Sequence, residues 1–234
     1  QLAKRDKRII AITAAMPEGT GLDKFRDNFP ERFFDVGIAE AHAVCFAAGL
    51  AKQGFKPVVA IYSTFLQRAY DQIIQEVSLQ ELPVLFAIDR AGIVGEDGVT
   101  HQGIFDIAYL RSIPNLVIMA PKDGEELEQM LEFALELDKP AAIRYPRADV
   151  SLGSDQLIPL KLGKARLIKE GPDFTVIALG TMVLAAQEAV EILNKEGLSG
   201  SLVSARFAAP IDIELIKDVC ARTKFIWTVE EGIK

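Results

Sequence analysis

A carboxylate and a histidine interrupt an otherwise small and apolar run, GIAEAHAVCFAAGLA, at residues 37–51. Glu40 there has two readings. A carboxylate in the first turn of a helix is favoured by the helix dipole. A carboxylate in a buried helix is costly unless paired, and such groups tend to have raised pKa values and to act as acid or base. Positions 41–51 leave no clear polar face, which predicts a buried helix. A second string, RAGIVGEDGVTHQG at 90–103, is long and glycine-rich and carries Asp97 and His101. Its glycines at 92, 95, 98 and 103 can let backbone approach a ligand closely. It is not a GxGxxG motif and assigns no nucleotide. His101 either caps or bridges the loop or belongs to a functional site at this edge. Arg90 and Arg147 either form surface ion pairs or converge on an anion, for which the planar guanidinium fork is suited. Phe65 is a core residue or a stacking platform, and Arg68 shares its helix face one turn on.

The elements that must place these residues alternate in type. Continuous apolar runs at 8–12, 32–36, 57–61, 83–89, 116–120 and 141–145 read as strands buried on both faces. Helical patterns fall near 39–53, 65–80 and 123–137. This rhythm predicts an α/β fold with a doubly wound, mostly parallel sheet. A polar stretch at 146–162, punctuated by proline and glycine, reads as a linker. A second, smaller α/β series follows, with strands near 164–169, 174–179, 201–206 and 225–230 and helices at 182–196 and 212–222. In open α/β sheets ligands bind beyond the carboxyl ends of the strands. That edge selects Ile38 and Glu40, then Tyr62 with Phe65 and Arg68, then Arg90, then Pro146 and Arg147.

The 234 residues carry a net charge of -7, so a broad cationic surface for nucleic acid or an anionic membrane is not expected. No apolar run is long enough to span a bilayer. Cys45 and Cys220 lie far apart in apolar helical patterns and are expected to be buried free thiols of a reducing cytosol. A start without Met and a stop just after an apolar run predict a fragment of a longer protein.

The strings AITAAMPEGTGL, RFFDVGIAEAHAV, AIYSTFLQRAYDQ, AIDRAGIVGEDGVTHQG and IRYPR closely resemble the pyrimidine-binding domain of the 1-deoxy-D-xylulose-5-phosphate synthase family, in the thiamine-diphosphate-dependent transketolase superfamily. VSARFAAPID followed by TVEEG resembles the start of that family's C-terminal domain. The resemblance implies a pyrimidine-binding domain over 1–148, a linker over 149–162 and a C-terminal-like domain, apparently truncated, over 163–234. It implies decarboxylation of pyruvate and its condensation with D-glyceraldehyde 3-phosphate, feeding isoprenoid, thiamine and pyridoxal synthesis. Glu40 and His101 would be catalytic. Ile38, Glu40, Phe65 and Arg68 would hold the cofactor, thiamine diphosphate. Tyr62, Arg90, Asp97, His101 and Arg147 would line the substrate pocket, the arginines taking the phosphate. Arg144 lies within its strand rather than past it.

No metal ligand is expected in this chain. The family's GDG…N signature for Mg2+ and the diphosphate is not found here, so those sites are expected in a preceding domain. The chain alone is then expected to be inactive and to bind cofactor weakly. A cytoplasmic homodimer is implied, with no nucleic-acid or membrane partner. Rival readings are a transketolase, a 2-oxoacid dehydrogenase β subunit, or a non-catalytic dimerisation or ligand-binding module.

Overall fold

Seven short strands make the main sheet of the chain. Its computed structural model describes residues 1–148 and 158–233, so most of the expected linker, 149–157, lies outside the described residues. The strands are β1 (Ile9–Thr13), β2 (Phe33–Asp35), β3 (Lys56–Tyr62), β4 (Leu85–Asp89), β5 (Val117–Met119), β6 (Ala141–Arg144) and, from much later, β10 (Phe207–Ala209). Their order is β10-β5-β6-β4-β3-β1-β2, and only β10 runs antiparallel. A second sheet, in the order β11-β8-β9-β7, joins β7 (Arg166–Lys169), β8 (Phe174–Ala178), β9 (Gly200–Ser204) and β11 (Phe225–Val229), with β7 alone antiparallel. The α/β architecture with a mostly parallel main sheet and a smaller second one is as expected.

Helices cover the main sheet on both faces. Short helices α1 (Leu2–Arg5) and α2 (Asp23–Asn28) precede α3 (Glu40–Lys52). Ala43, Val44 and Ala47 of α3 pack with Ile10, Ile12, Val59, Ile61, Phe86 and Ile88 in one apolar cluster. The expected helix 65–80 is broken instead into α4 (Ser63–Leu66), a 3-10 turn, α5 (Tyr70–Gln72) and a π turn at Ile73–Ser78. Such irregular turns re-aim side chains and recur near functional sites. After α6 (Asp106–Leu110), α7 (Gly124–Glu136) covers the other face through Met130 and Ala134 against Leu85, Val117, Met119 and Ile143. Asp123 caps α7 by accepting the Glu126 amide at 2.8 Å. In the second sheet, α8 (Met182–Lys195) packs Val183, Ala186 and Val190 on Phe174, Val176 and Leu202. The last helix is α9 (Ile213–Arg222), capped by Asp212.

Several expectations are corrected. The strand expected near 201–206 is β9 and ends at Ser204, and an unexpected strand, β10, follows at once and crosses into the main sheet. Arg206 turns the chain between them with φ +60°, and its Nε donates to Glu126 of α7 at 2.8 Å with both side chains buried. The run 32–36 is not buried on both faces, because β2 is an edge strand and Phe34 is exposed. The helix at 39–53 presents an outward face of His42, Cys45 and Gly49, so it is not buried all round. Cys45 and Cys220 are free but exposed, since each sits on the solvent side of its helix.

Phe207 ties the two series together. It is 1% exposed, lies in the cluster under α7 and meets Phe133 edge-on at 6.3 Å. Phe207→Ala should destabilise the chain by about 3–5 kcal/mol, the range for emptying a buried aromatic site. Urea unfolding followed by circular dichroism measures this, and the loss should also appear in the main sheet.

Candidate active site

The carboxyl ends of β1, β3, β4 and β6 share one edge because these strands run parallel. Tyr62 of β3 is the register partner of Asp89 in β4, and Ile88 is the partner of Arg144 in β6. Side chains just past these ends are therefore neighbours, and the expected site residues cluster there.

Glu40 opens α3 at this edge. The turn before it is shaped by Asp35, whose Oδ1 accepts the amides of Ala15 at 2.7 Å and Gly37 at 2.9 Å. Gly37 has φ +70°, which glycine adopts without steric cost. Glu40 is 4% exposed, and its Oε1 accepts Arg68 Nη1 at 2.5 Å. A guanidinium thus pairs the buried carboxylate, as its burial requires. The same guanidinium lies 5.1 Å from the Phe65 ring centre. Ile38 is 80% exposed at the lip of this region.

A row of rings runs outward from Glu40's partner. Phe65 stacks on Tyr62 with centres 5.4 Å apart and planes 11° from parallel. His101 meets the Phe65 edge at 5.2 Å, and its Nδ1 pairs with the Thr100 hydroxyl at 2.9 Å. The Arg90 guanidinium sits 3.8 Å from the Tyr62 ring centre, a cation–π contact. His42 is not in this row; its ring stacks on Phe46 of α3.

The loop that supplies Asp97 and His101 is tied shut at its base. Gly92 and Gly103 exchange amide–carbonyl hydrogen bonds of 2.7 and 2.8 Å. A Cβ on Gly103 would collide with the Arg90 carbonyl and with Ser63. Gln102 holds the loop from within, accepting the Val94 amide and donating to the Val94 and Gly98 carbonyls. Asp97 then receives Arg90 Nε at 3.0 Å and Arg147 Nη1 at 2.7 Å. Both arginines are thus ion-paired within the protein, meeting at the Asp97 carboxylate.

Sequence reasoning passed over the groups that hold Arg90. The residue has φ +56°, a strained backbone conformation for a non-glycine residue of the kind concentrated at functional sites. Its amide donates to Asp89 Oδ1 at 2.6 Å, and its Nη1 donates to the Gly19 carbonyl at 2.8 Å. Glu96 adds an ion pair to Arg147 at 3.2 Å. The adjacent charges of Asp89 and Arg90 at the end of an apolar strand were the available signal. A cavity of about 620 Å³ continues past Gly19, Asp89, Arg90 and Arg147 toward Lys122 and Thr181.

Residues 1–151 match the family described as transketolase, pyrimidine binding domain, and residues 163–234 match transketolase, C-terminal domain. The chain belongs to the transketolase pyrimidine-binding domain family. This pyrimidine-binding chain is 57% identical over 235 residues to the 1-deoxy-D-xylulose-5-phosphate synthase of Desulforudis audaxviator (strain MP104C), with 100% of the chain covered and 37% of that relative. It is 58% identical over 233 residues to the 1-deoxy-D-xylulose-5-phosphate synthase of Anaeromyxobacter sp. (strain Fw109-5), covering 98% of the chain and 37% of the relative. The chain thus spans little more than a third of the length of these curated relatives. Among solved structures, a split gene transketolase in the form of an inactive β4 tetramer superposes with a TM-score of 0.89 at 32% identity, over 99% of this chain and 76% of that one. A transketolase from Campylobacter jejuni shares the fold, with a TM-score of 0.79 at 22% identity over 99% of this chain and 40% of that one.

Two outcomes follow from the geometry of this pyrimidine-binding domain. Asp97→Asn removes the charge that competes for Arg90 and Arg147, so inorganic phosphate should bind about tenfold more tightly, roughly 1.4 kcal/mol, in a calorimetric titration. Burial raises the Asp89 carboxyl above its ordinary value, against the opposing pull of the Arg90 guanidinium. Its stabilising contribution is therefore full below the ordinary carboxylate value of about 3.9 and is lost as pH rises through the raised one. Asp89→Asn cannot ionise, so its stability relative to the native chain should improve across that rise, as read by unfolding at a series of pH values.

Proposed function

We propose that this chain is the pyrimidine side of the active site of a thiamine-diphosphate-dependent 1-deoxy-D-xylulose-5-phosphate synthase. The reaction is the decarboxylating condensation of pyruvate with D-glyceraldehyde 3-phosphate, in isoprenoid, thiamine and pyridoxal biosynthesis. The observation that carries the reading is Glu40, a buried carboxylate that opens a helix beside an aromatic platform, with two arginines converging farther along the same edge.

The residues present suit the cofactor's aminopyrimidine. Phe65 offers a ring for stacking, Ile38 an apolar edge, and Glu40 a carboxyl group to hydrogen-bond a ring nitrogen. Arg68 bonds Glu40 and lies against Phe65, so it would position both toward the cofactor's ring. When bound, thiamine diphosphate supplies the electron sink for decarboxylation. Glu40 holds the proton shared with the pyrimidine nitrogen and so selects its tautomer. His101, set against Phe65 with its Nδ1 tied to Thr100, presents Nε2 for proton movement at a donor or acceptor oxygen. Arg90 and Arg147 take the acceptor phosphate, exchanging Asp97 for it, while Tyr62 and Asp97 line the pocket.

Among the described residues, no group of three or more His, Cys, Asp or Glu stands together to hold a metal ion. The reading assigns Mg2+ and the diphosphate to another part of the protein. It also places the enzyme in the cytoplasm as a homodimer; no helix among the described residues is long and apolar enough to cross a membrane. The likeness to a split gene transketolase supports a second reading of the chain's extent, as a separate subunit, and the intact mass of the natural product decides between the two.

Glu40→Gln in the full-length protein should lower turnover of pyruvate with D-glyceraldehyde 3-phosphate by about 10²–10⁴-fold, the worth of a positioned acid–base group. Wild-type turnover retained by the variant would sink the reading. The 234-residue chain alone should show no turnover in the same assay.

A further inference from the structure

Beneath the loop that carries Asp97 and His101 lies a row of charge with no part in the chemistry above. Arg144, the last residue of β6, is 2% exposed. Its Nε donates to Asp106 Oδ2 at 3.0 Å, and Asp106 is wholly buried at the start of α6. On its other side, Arg144 Nη1 stands 3.8 Å from Oε2 of Glu231, which follows β11 of the second domain. Among the described residues, the buried Nη2 has no hydrogen-bond partner. A core ion pair kept only for stability would be expected to satisfy its donors, because each buried orphan costs free energy.

Glu231 touches the base of the loop directly. A Cβ on Gly92 would fall 2.8 Å from Glu231 Oε1, so the carboxylate occupies the space a side chain there would need. Gly92 has φ +81° and forms the loop's closing bridge with Gly103. Glu231 is itself held by the Thr181 hydroxyl at 3.0 Å. Two residues on, the Ile233 amide donates to the Ile104 carbonyl at 3.1 Å, just past the loop's other end. The segment 231–233 therefore braces both ends of the loop, and Arg144 is three residues before Arg147 on the same strand end.

We propose that Glu231 is a positioning residue: through Arg144 and Gly92 the second domain sets the placement of loop 92–103, and with it Asp97, His101 and the acceptor side of the site. The kinetic part of this inference rests on the function proposed above; the structural part does not.

The test uses the full-length protein and the Glu231→Gln variant. The KM for D-glyceraldehyde 3-phosphate should rise on the order of tenfold, as expected for a modest misplacement of binding groups. The KM for pyruvate and the affinity for thiamine diphosphate should stay within about twofold, since the Glu40 side is anchored elsewhere. In an Asp97→Ala background the Glu231→Gln penalty should largely vanish, because both changes act through one loop. Thr181→Val, which frees Glu231 from its second anchor, should raise the acceptor KM in the same direction by about threefold. Hydrogen–deuterium exchange provides the arm independent of activity: amides of 92–103 should exchange faster in Glu231→Gln, with those of β3 and β4 unchanged. The inference is overturned by unchanged loop exchange, by a lowered melting point and kcat with an unmoved acceptor KM, or by an equal penalty in the Asp97→Ala background. Wild-type protein without turnover would defeat the proposed function instead, and the exchange result would then decide this inference alone.

Discussion

Parallel pairing of β3, β4 and β6 is the constraint on which the rest depends. In a parallel ladder every strand ends at the same edge, so whatever follows each strand is delivered to one place. Tyr62, Asp89 with Arg90, and Arg144 with Arg147 are distant in sequence yet side by side in space. The price of that pairing is that both faces of the sheet must be covered. The α3 cluster and the α7 cluster do this, and the covering helices are what leave Glu40 buried at the first turn of α3.

Charge at this edge is arranged in layers. The outer layer is Arg147, nearly half exposed and bound to Asp97 and Glu96. The middle layer is Arg90, almost enclosed by Asp89, Asp97, the Gly19 carbonyl and the Tyr62 ring. The deepest is Arg144 with Asp106 and Glu231. Exposed pairs exchange partners at small cost, whereas a buried pair that loses one member leaves an uncompensated charge. Partner exchange is thus cheap in the outer layer and costly in the inner one, which keeps the frame still.

Much of this was legible in the sequence. Continuous apolar runs such as PVVAI and PVLFAID gave away strands covered on both faces, and the strand-end rule then picked Glu40, Tyr62, Phe65, Arg90 and Arg147 before any coordinates. What periodicity could not see were features set by neighbours. The strand at Phe207–Ala209 went unexpected after the one near 201–206 because nothing local reveals that Arg206 turns the chain toward Glu126. Helix α3 seemed buried all round because, of its outward residues His42, Cys45 and Gly49, the histidine alone is markedly polar. The broken helix after Tyr62 follows from irregular turns that single-residue propensities do not encode.

The sequence by itself determined the fold class and the sheet edge at which the candidate residues gather, because hydrophobic patterning and strand polarity are local properties with a global geometric consequence. Tertiary structure alone decided the pairings: that Glu40 meets Arg68, that Asp97 bridges Arg90 and Arg147, and that Glu231 from the second domain lies under Gly92. These are contacts between residues tens to more than a hundred positions apart, or across a loop whose closure depends on two glycines. Charge complementarity makes each of them favourable, but only the packed sheet brings the charges within reach.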